Sequence, residues 1–333
     1  MEIADIINEK NKLHFEKFVN QSEKAYAEAL SWIDTTTADY WRHFRQYEIV
    51  EHLSDKSVAK WLTVGDGKWG LDSIRLQNKG IKNVLPTDIS EYLLQLSKEK
   101  GFIKDYSIQN AEKMSFEDNS FDYVFTKEAI HHFPRPYIAI YEMLRVARKG
   151  VIIVDGNEYS EINSPAYYEP YPNLNFVYQL SLRDFIKIAL GLNYPMIVFK
   201  GFNNIYIQGG EFEVADVKKS KIFKKMVKFI KKADKKCLKG QKTYSSIMIG
   251  IFKEKLDDIS IRNYINNGYH VLNLPSNPNL TANPPSELTV IDIIFSSYNF
   301  NGYASNNIRS VIRSSIRAIL GKIRSIFKNR EFR

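Results

Sequence analysis

Apolar positions recur at intervals of three and four through residues 1–55, at Leu13, Phe15, Phe18 and Val19, then at Ala25, Ala29, Leu30 and Ile33. That spacing predicts helices, with Asp34-Thr35-Thr36-Thr37 as a helix stop or a new N-cap. From Ala59 the rhythm changes. Short apolar runs ending in Gly, Asp or Asn alternate with amphipathic stretches of about ten residues, the βαβ pattern of a parallel sheet. Strands are predicted at 60–64, 83–87, 105–109, 121–126 and 150–155, and helices near 69–79, 90–100 and 135–148. Residues 157–180 are rich in Tyr, Pro and Asn and read as a loop-rich insertion. A helix at 181–190, extended segments near 196–207, a lysine-rich helix at 218–242 and a strand at 244–253 follow. Beyond Lys255 the pattern gives way to a Pro/Asn-rich connector, LNLPSNPNLTANPPSEL, and a last amphipathic helix. The expectation is a helical cap over 1–57, an α/β doubly wound domain over 58–255, and a linker with a helical extension over 256–333.

Composition adds limits to this pattern. With 44% hydrophobic and 26% charged residues in 333, the chain is ordinary globular material. Its single cysteine, Cys237, excludes an intramolecular disulfide framework and a cysteine-built metal site, and no metal is expected. The N-terminus lacks a signal-peptide layout, and no stretch reaches the roughly 18 apolar residues of a membrane span. A cytoplasmic protein is expected, at most resting on the inner membrane face.

The net charge of +9 is unevenly spread. Residues 218–242 hold twelve lysines and one acid, residues 304–333 hold eight basic residues and Glu331, and the remainder is net acidic. An acidic body argues against a nucleic-acid partner. In the first basic segment Ile222, Phe223, Met226, Phe229, Ile230 and Ala233 share one helical face. In the second, Ile308, Ile312, Ile316, Ile319 and Ile323 share a face opposite Arg313, Arg317 and Arg324. Such helices either dock on the protein's own core or lie on an anionic membrane. For 304–333, set behind its proline-rich tether, membrane or partner docking is the favoured expectation, and a homo-oligomer is compatible with the sequence.

Candidate chemistry begins at residues 64–70, VGDGKWG, where Gly65, Gly67 and Gly70 follow an apolar strand. Eighteen residues after Gly70, the second strand ends at Asp88, placed to accept both ribose hydroxyls of an adenosine group across the strand ends. These two features alone fit a dinucleotide as well as another adenosine-bearing cofactor.

Together with LPTDIS, QNAEKMSFEDNSFDYVFTKEAIHHF and YEMLRVARKGVIIVD, the glycine turn resembles the class I S-adenosylmethionine-dependent methyltransferases, in particular the ubiquinone-biosynthesis-like, type 11 subgroup. The resemblance covers about residues 58–156. It implies a Rossmann-like seven-stranded sheet, mostly parallel, whose last strand near 244–253 runs antiparallel, and S-adenosyl-L-methionine as cofactor. It places Gly65, Asp66, Gly67 and Gly70 along the cofactor, Asp88 on the ribose and Ile89 beside the adenine. Asn110-Ala111 stands where the family has Asp-Ala, with the Asn110 carbonyl accepting from the adenine amino group and the Ala111 N–H serving the ring nitrogen. Lys127 and Glu128 would line the pocket, and Arg42, with Arg45, could reach the cofactor carboxylate. Trp69, bulkier than is usual in this turn, is expected to pack at the helix start.

Methyl transfer from a sulfonium needs an acceptor held in line and, for a hydroxyl or ammonium acceptor, a base. His132 is the first candidate, His131 the second and Glu128 a third. The insertion, with Tyr159, Tyr167, Tyr168, Tyr171, Glu158, Glu161 and Glu169, would help build the acceptor pocket. The expected activity is methylation of a hydroxyl or amine on a sugar or glycan precursor, in bacterial polysaccharide biosynthesis. A lipid-like or quinone-like small metabolite, and a catalytically silent scaffold, are the alternatives.

Overall fold

The computed structural model describes residues 5–10, 12–13, 32–157, 166–168, 176–178, 180–210 and 212–276. The basic segment 304–333 and most of the 157–180 insertion, including Tyr159, Tyr171, Glu158, Glu161 and Glu169, lie outside the described residues.

The chain alternates strands and helices as its apolar rhythm requires. α1 (Ala38–Phe44) leads into a 3-10 segment, Arg45–His52, and then β1 (Lys60–Val64), α2 (Leu71–Asn78), β2 (Asn83–Asp88), α3 (Tyr92–Glu99) and β3 (Ser107–Ile108). β4 (Phe121–Lys127), α4 (Pro136–Val146) and β5 (Ala147–Gly156) complete the second half. A small hairpin of β6 (Ala166–Tyr168) and β7 (Phe176–Tyr178) precedes α5 (Leu182–Gly191), β8 (Met196–Phe202), α6 (Lys221–Leu238), β9 (Ser246–Phe252), α7 (Asp258–Asn266) and β10 (His270–Asn273).

The large sheet has the order β10-β8-β9-β5-β4-β1-β2-β3. β1 pairs in parallel with both β2 and β4, so the direction of winding reverses between β1 and β4. That reversal opens a crevice at the carboxyl ends of the strands, where α/β sheets bind ligands. β9 runs antiparallel between β5 and β8, as expected. The sheet has eight strands, not seven. β10, in the stretch expected to be linker, adds antiparallel to β8 with Val271 opposite Val198. α7 packs back as well, its Tyr264 hydroxyl donating to the Ile49 carbonyl at 2.9 Å.

Successive strand residues serve opposite cores, the period of two expected of a sheet covered on both faces. Leu62, Val64, Val151 and Ile153 join Ile140 and Met143 of α4 and Phe185 of α5. Trp61, Ile152, Val154 and Phe252 face Tyr47, Ile49, Leu76 and Tyr264.

Helix starts are set locally. Thr37, Ser220 and Asp257 accept from the third residue onward to begin α1, α6 and α7. α2 begins at Leu71 and not at 69, because Trp69 and Gly70 both have positive φ, 61° and 65°. The Trp69 ring is buried, edge-on to Phe102 at 6.2 Å, so it packs beneath the helix start and leaves the crevice open. In α6, Phe223, Met226, Ile230, Ala233 and Cys237 are buried, and Phe223, Met226 and Ile230 pack against Ala38 and Trp41 of α1. Phe229, expected on that face, is instead exposed, because it sits at its edge among the lysines.

Candidate active site

The carboxyl ends of β1, β2 and β4, with α1 as a wall, enclose a cavity of about 450 Å³. It gathers the sequence-predicted residues Arg42, Gly65, Asp66, Gly67, Asp88, Ile89, Asn110, Ala111, Lys127, Glu128 and His132, and not Gly70 or His131. Gly70 supplies the left-handed turn into α2, and Arg45 lies over the Trp41 ring at 4.8 Å.

Two glycines are required by close approach. A Cβ on Gly65, whose φ is +77°, would stand 2.5 Å from the Ala129 Cβ; one on Gly67 would stand 2.6 Å from the Asp88 carboxyl carbon. The Asp88 carboxylate accepts the Ser90 N–H at 2.8 Å, and the Gly67 and Ile89 amides also face it. Burial outweighs these donors and lifts its pKa to about 6.

Asp66 lines the cavity, and its side chain has work within the chain. Its carboxylate accepts from Thr63 Oγ1 at 2.8 Å, from the Asp72 N–H at 2.8 Å and from the Ser73 N–H at 3.0 Å, capping α2 from one turn away. Only its backbone remains for a cofactor. Asn110 is also engaged, its side-chain oxygen accepting the Glu112 N–H at 2.9 Å. What it leaves for a ligand is the second lone pair of that oxygen and its amide NH₂.

α1 brings Arg42 to a charged set that also holds His43 and Lys68, which the sequence did not single out. Arg42 binds Asp39 at 2.9 Å and contacts His43 Nε2 at 2.7 Å, while its Nε is buried with no protein partner. Glu128, at a positive φ of 49°, receives Lys127 Nζ at 2.6 Å and lies 3.8 Å from His43 Nδ1. Burial raises the Glu128 carboxyl, but Lys127, His43 and Arg42 outweigh it and hold it well below the usual range. Burial, then Lys127, pushes the His43 imidazole well below its ordinary value, so it is neutral near pH 7. Lys68, reaching into the cavity over the Trp32 ring at 5.5 Å, is lowered by burial and by Lys127. Lys68 and His43 were legible only as polar residues inside VGDGKWG and DYWRHFRQYE.

His131 faces a second chamber, of about 390 Å³, that shares Glu128 and His132 with the first. Its Nδ1 lies 2.5 Å from Oδ1 of Asp155 near the end of β5. Asp155 carries a signal in the sequence, as the acid that ends the apolar run VIIVD.

The residues fit S-adenosyl-L-methionine. The cavity is of ligand size, the Gly67 cradle is one that a Cβ would fill, Asp88 stands beside it, and Arg42 Nε is a buried donor awaiting an anion. Residues 62–154 match the family model described as "Methyltransferase domain". Over 72 residues the chain is 40% identical to phosphoethanolamine N-methyltransferase 2 of Caenorhabditis elegans, a stretch covering 21% of this chain and 16% of that relative's length. Among solved structures it is similar to the YcgJ protein of Bacillus subtilis (17% identity, 64% of this chain and 99% of that one, TM-score 0.43). It is also similar to a SAM-dependent methyltransferase from Methanosarcina mazei (15%, 63% and 99%, TM-score 0.44). Residues 62–154 thus match a methyltransferase domain, folded around a cavity whose residues fit S-adenosyl-L-methionine.

Proposed function

We propose that the protein transfers a methyl group from S-adenosyl-L-methionine to a hydroxyl or amine of a small polar acceptor, with a sugar or glycan precursor as the leading class. The observation that carries this reading is the joint lining of two adjoining chambers by Glu128 and His132. One chamber suits the cofactor, and a group entering the other meets histidines able to take a proton. The named activity of the nematode relative, N-methylation of phosphoethanolamine, is compatible with an amine acceptor.

When bound, the cofactor supplies a methyl carbon activated by a positive sulfur. The chain's part is to hold and orient. Asp88 accepts the ribose hydroxyls, the Gly65–Gly67 backbone lies along the cofactor, and Arg42 offers its Nε to the carboxylate. Among the described residues no helix is long and apolar enough to cross a membrane. A cytoplasmic reaction near the inner membrane face, with 304–333 as a peripheral contact, belongs to the same proposal.

Calorimetry with the cofactor and its demethylated product tests the reading. Asp88→Ala should weaken binding by roughly 2–4 kcal/mol by removing a charge-assisted pair of contacts. A folded wild type that binds neither compound would favour the silent scaffold.

A further inference from the structure

The second chamber differs in chemistry from the first. Its described lining includes Glu128, His131, His132, Asp155, Tyr178 and Ser246, and no lysine or arginine. The cations of the site, Arg42, Lys68, Arg75 and Lys127, all line the first chamber. Asp155 is only 3% exposed, and its Oδ1 is occupied by His131 Nδ1 at 2.5 Å and by the Gly156 N–H at 2.6 Å. Its Oδ2 is buried without a protein partner. A buried carboxylate oxygen left without a donor is costly, and a ligand that donates to it removes that cost.

Resting on the methyltransferase reading, we propose that Asp155 is the positioning and selecting residue of the acceptor chamber. Through Oδ1 it fixes the proton of His131 on Nδ1, leaving Nε2 as the base. Through Oδ2, with the Glu128 carboxylate, it selects an acceptor whose reacting end carries hydroxyl or ammonium donors and no phosphate or carboxylate. An anionic group there would meet the Asp155 carboxylate with no lysine or arginine in the described lining, the one nearby cation, Lys127, being already taken up by Glu128, whereas a hydroxyl or ammonium completes the Asp155 hydrogen bonds.

In the step itself the acceptor oxygen or nitrogen forms its bond to the methyl carbon as the carbon–sulfur bond breaks. That bond's electron pair stays on sulfur; the acceptor's proton passes to His131 Nε2, with the new bond for a hydroxyl and before it for an ammonium, whose nitrogen has no lone pair until then, and the resulting imidazolium faces the Asp155 carboxylate. Nothing further is consumed.

Wild type, Asp155→Asn and His131→Gln are compared with the demethylated cofactor bound. Its affinity should agree within about threefold across the three, since neither side chain lines the first chamber. Nitrogen NMR should find His131 protonated on Nδ1 in wild type and lose that preference in Asp155→Asn. A wild-type His131 protonated on Nε2 overturns the pairing, whether or not an acceptor is in hand. With methyl-labelled cofactor and a small-molecule extract of the source cells, both substitutions should cut label transfer by about 100-fold or more. Fragmentation should place the methyl group on an end without phosphate or carboxylate. Unchanged transfer by the variants, or a methyl beside a phosphate or carboxylate, overturns the proposal. A wild type that binds no cofactor would sink the methyltransferase reading instead, a separate result.

Discussion

A Cβ placed on Gly67 stands 2.6 Å from Cγ of Asp88 and 2.7 and 2.8 Å from its two oxygens. The turn after β1 and the acid ending β2 are thus in van der Waals contact across the cavity floor. What an added methyl displaces is the far end of a side chain, which can move at small cost to folding. Gly67→Ala should therefore leave stability within about 1 kcal/mol of wild type and weaken cofactor binding tenfold or more, as about 1.4 kcal/mol of lost contact implies. Gly65→Ala is the contrast. Its φ is +77° and its methyl would strike the Ala129 Cβ, so about 1–3 kcal/mol of stability should be lost. Chemical denaturation beside calorimetry separates the two outcomes.

The buried Asp88 carboxyl, with its pKa raised from 3.8 to about 6, sets a pH dependence. A raised carboxyl pKa means that the folded state holds its proton more tightly than the unfolded chain does. Burying the charged form therefore costs about 3 kcal/mol above pH 6 and nothing below pH 4, and the cofactor-free fold loses that stability as pH rises between the two. Cofactor binding should run the other way, falling up to about tenfold per unit below pH 6 as the acceptor oxygens are protonated. Calorimetric titrations at pH 5, 6 and 7.5 check the slope; a flat profile would remove Asp88 from the ribose contact.

Asn110 has one lone pair of its oxygen left for the cofactor, because the Glu112 N–H takes the other. Asn110→Asp keeps that turn and adds an acceptor, and should tighten cofactor binding by about three- to tenfold. An unchanged or weaker affinity would place the adenine elsewhere.

The lysine helix reports on the α1 wall. Phe223 is 4% exposed, with its ring 5.0 Å from that of Trp41 in an edge-on contact. Phe223→Ala should cost about 3–4 kcal/mol and also weaken cofactor binding, since α1 carries Arg42 and His43. Phe229→Ala, on the exposed side of the same helix, should stay within about 0.5 kcal/mol. Equal losses from the two would mean that α6 docks in another orientation.

What could be read along the chain was what repeats over short distances. The short apolar runs of β1, β2, β4 and β5 and the amphipathic stretches between them specify a doubly wound sheet without any partner in view. VGDGKWG and the acid at Asp88 mark the cavity floor because turn chemistry and strand ends are local features. The four-residue β10 was hidden, since only its pairing with Met196–Phe199, more than seventy positions earlier, makes it a strand. So was the work of the Asp66 carboxylate, which caps α2 through amides six and seven positions on. α6 reads equally as a core-docked or a membrane-bound helix until α1 is seen to cover its apolar face. The His131–Asp155 pair, 24 positions apart, exists because β4 and β5 are adjacent in the sheet and bring their carboxyl ends together. Proton chemistry depends on distances of a few ångströms between groups far apart in sequence, and only the packed sheet sets those distances.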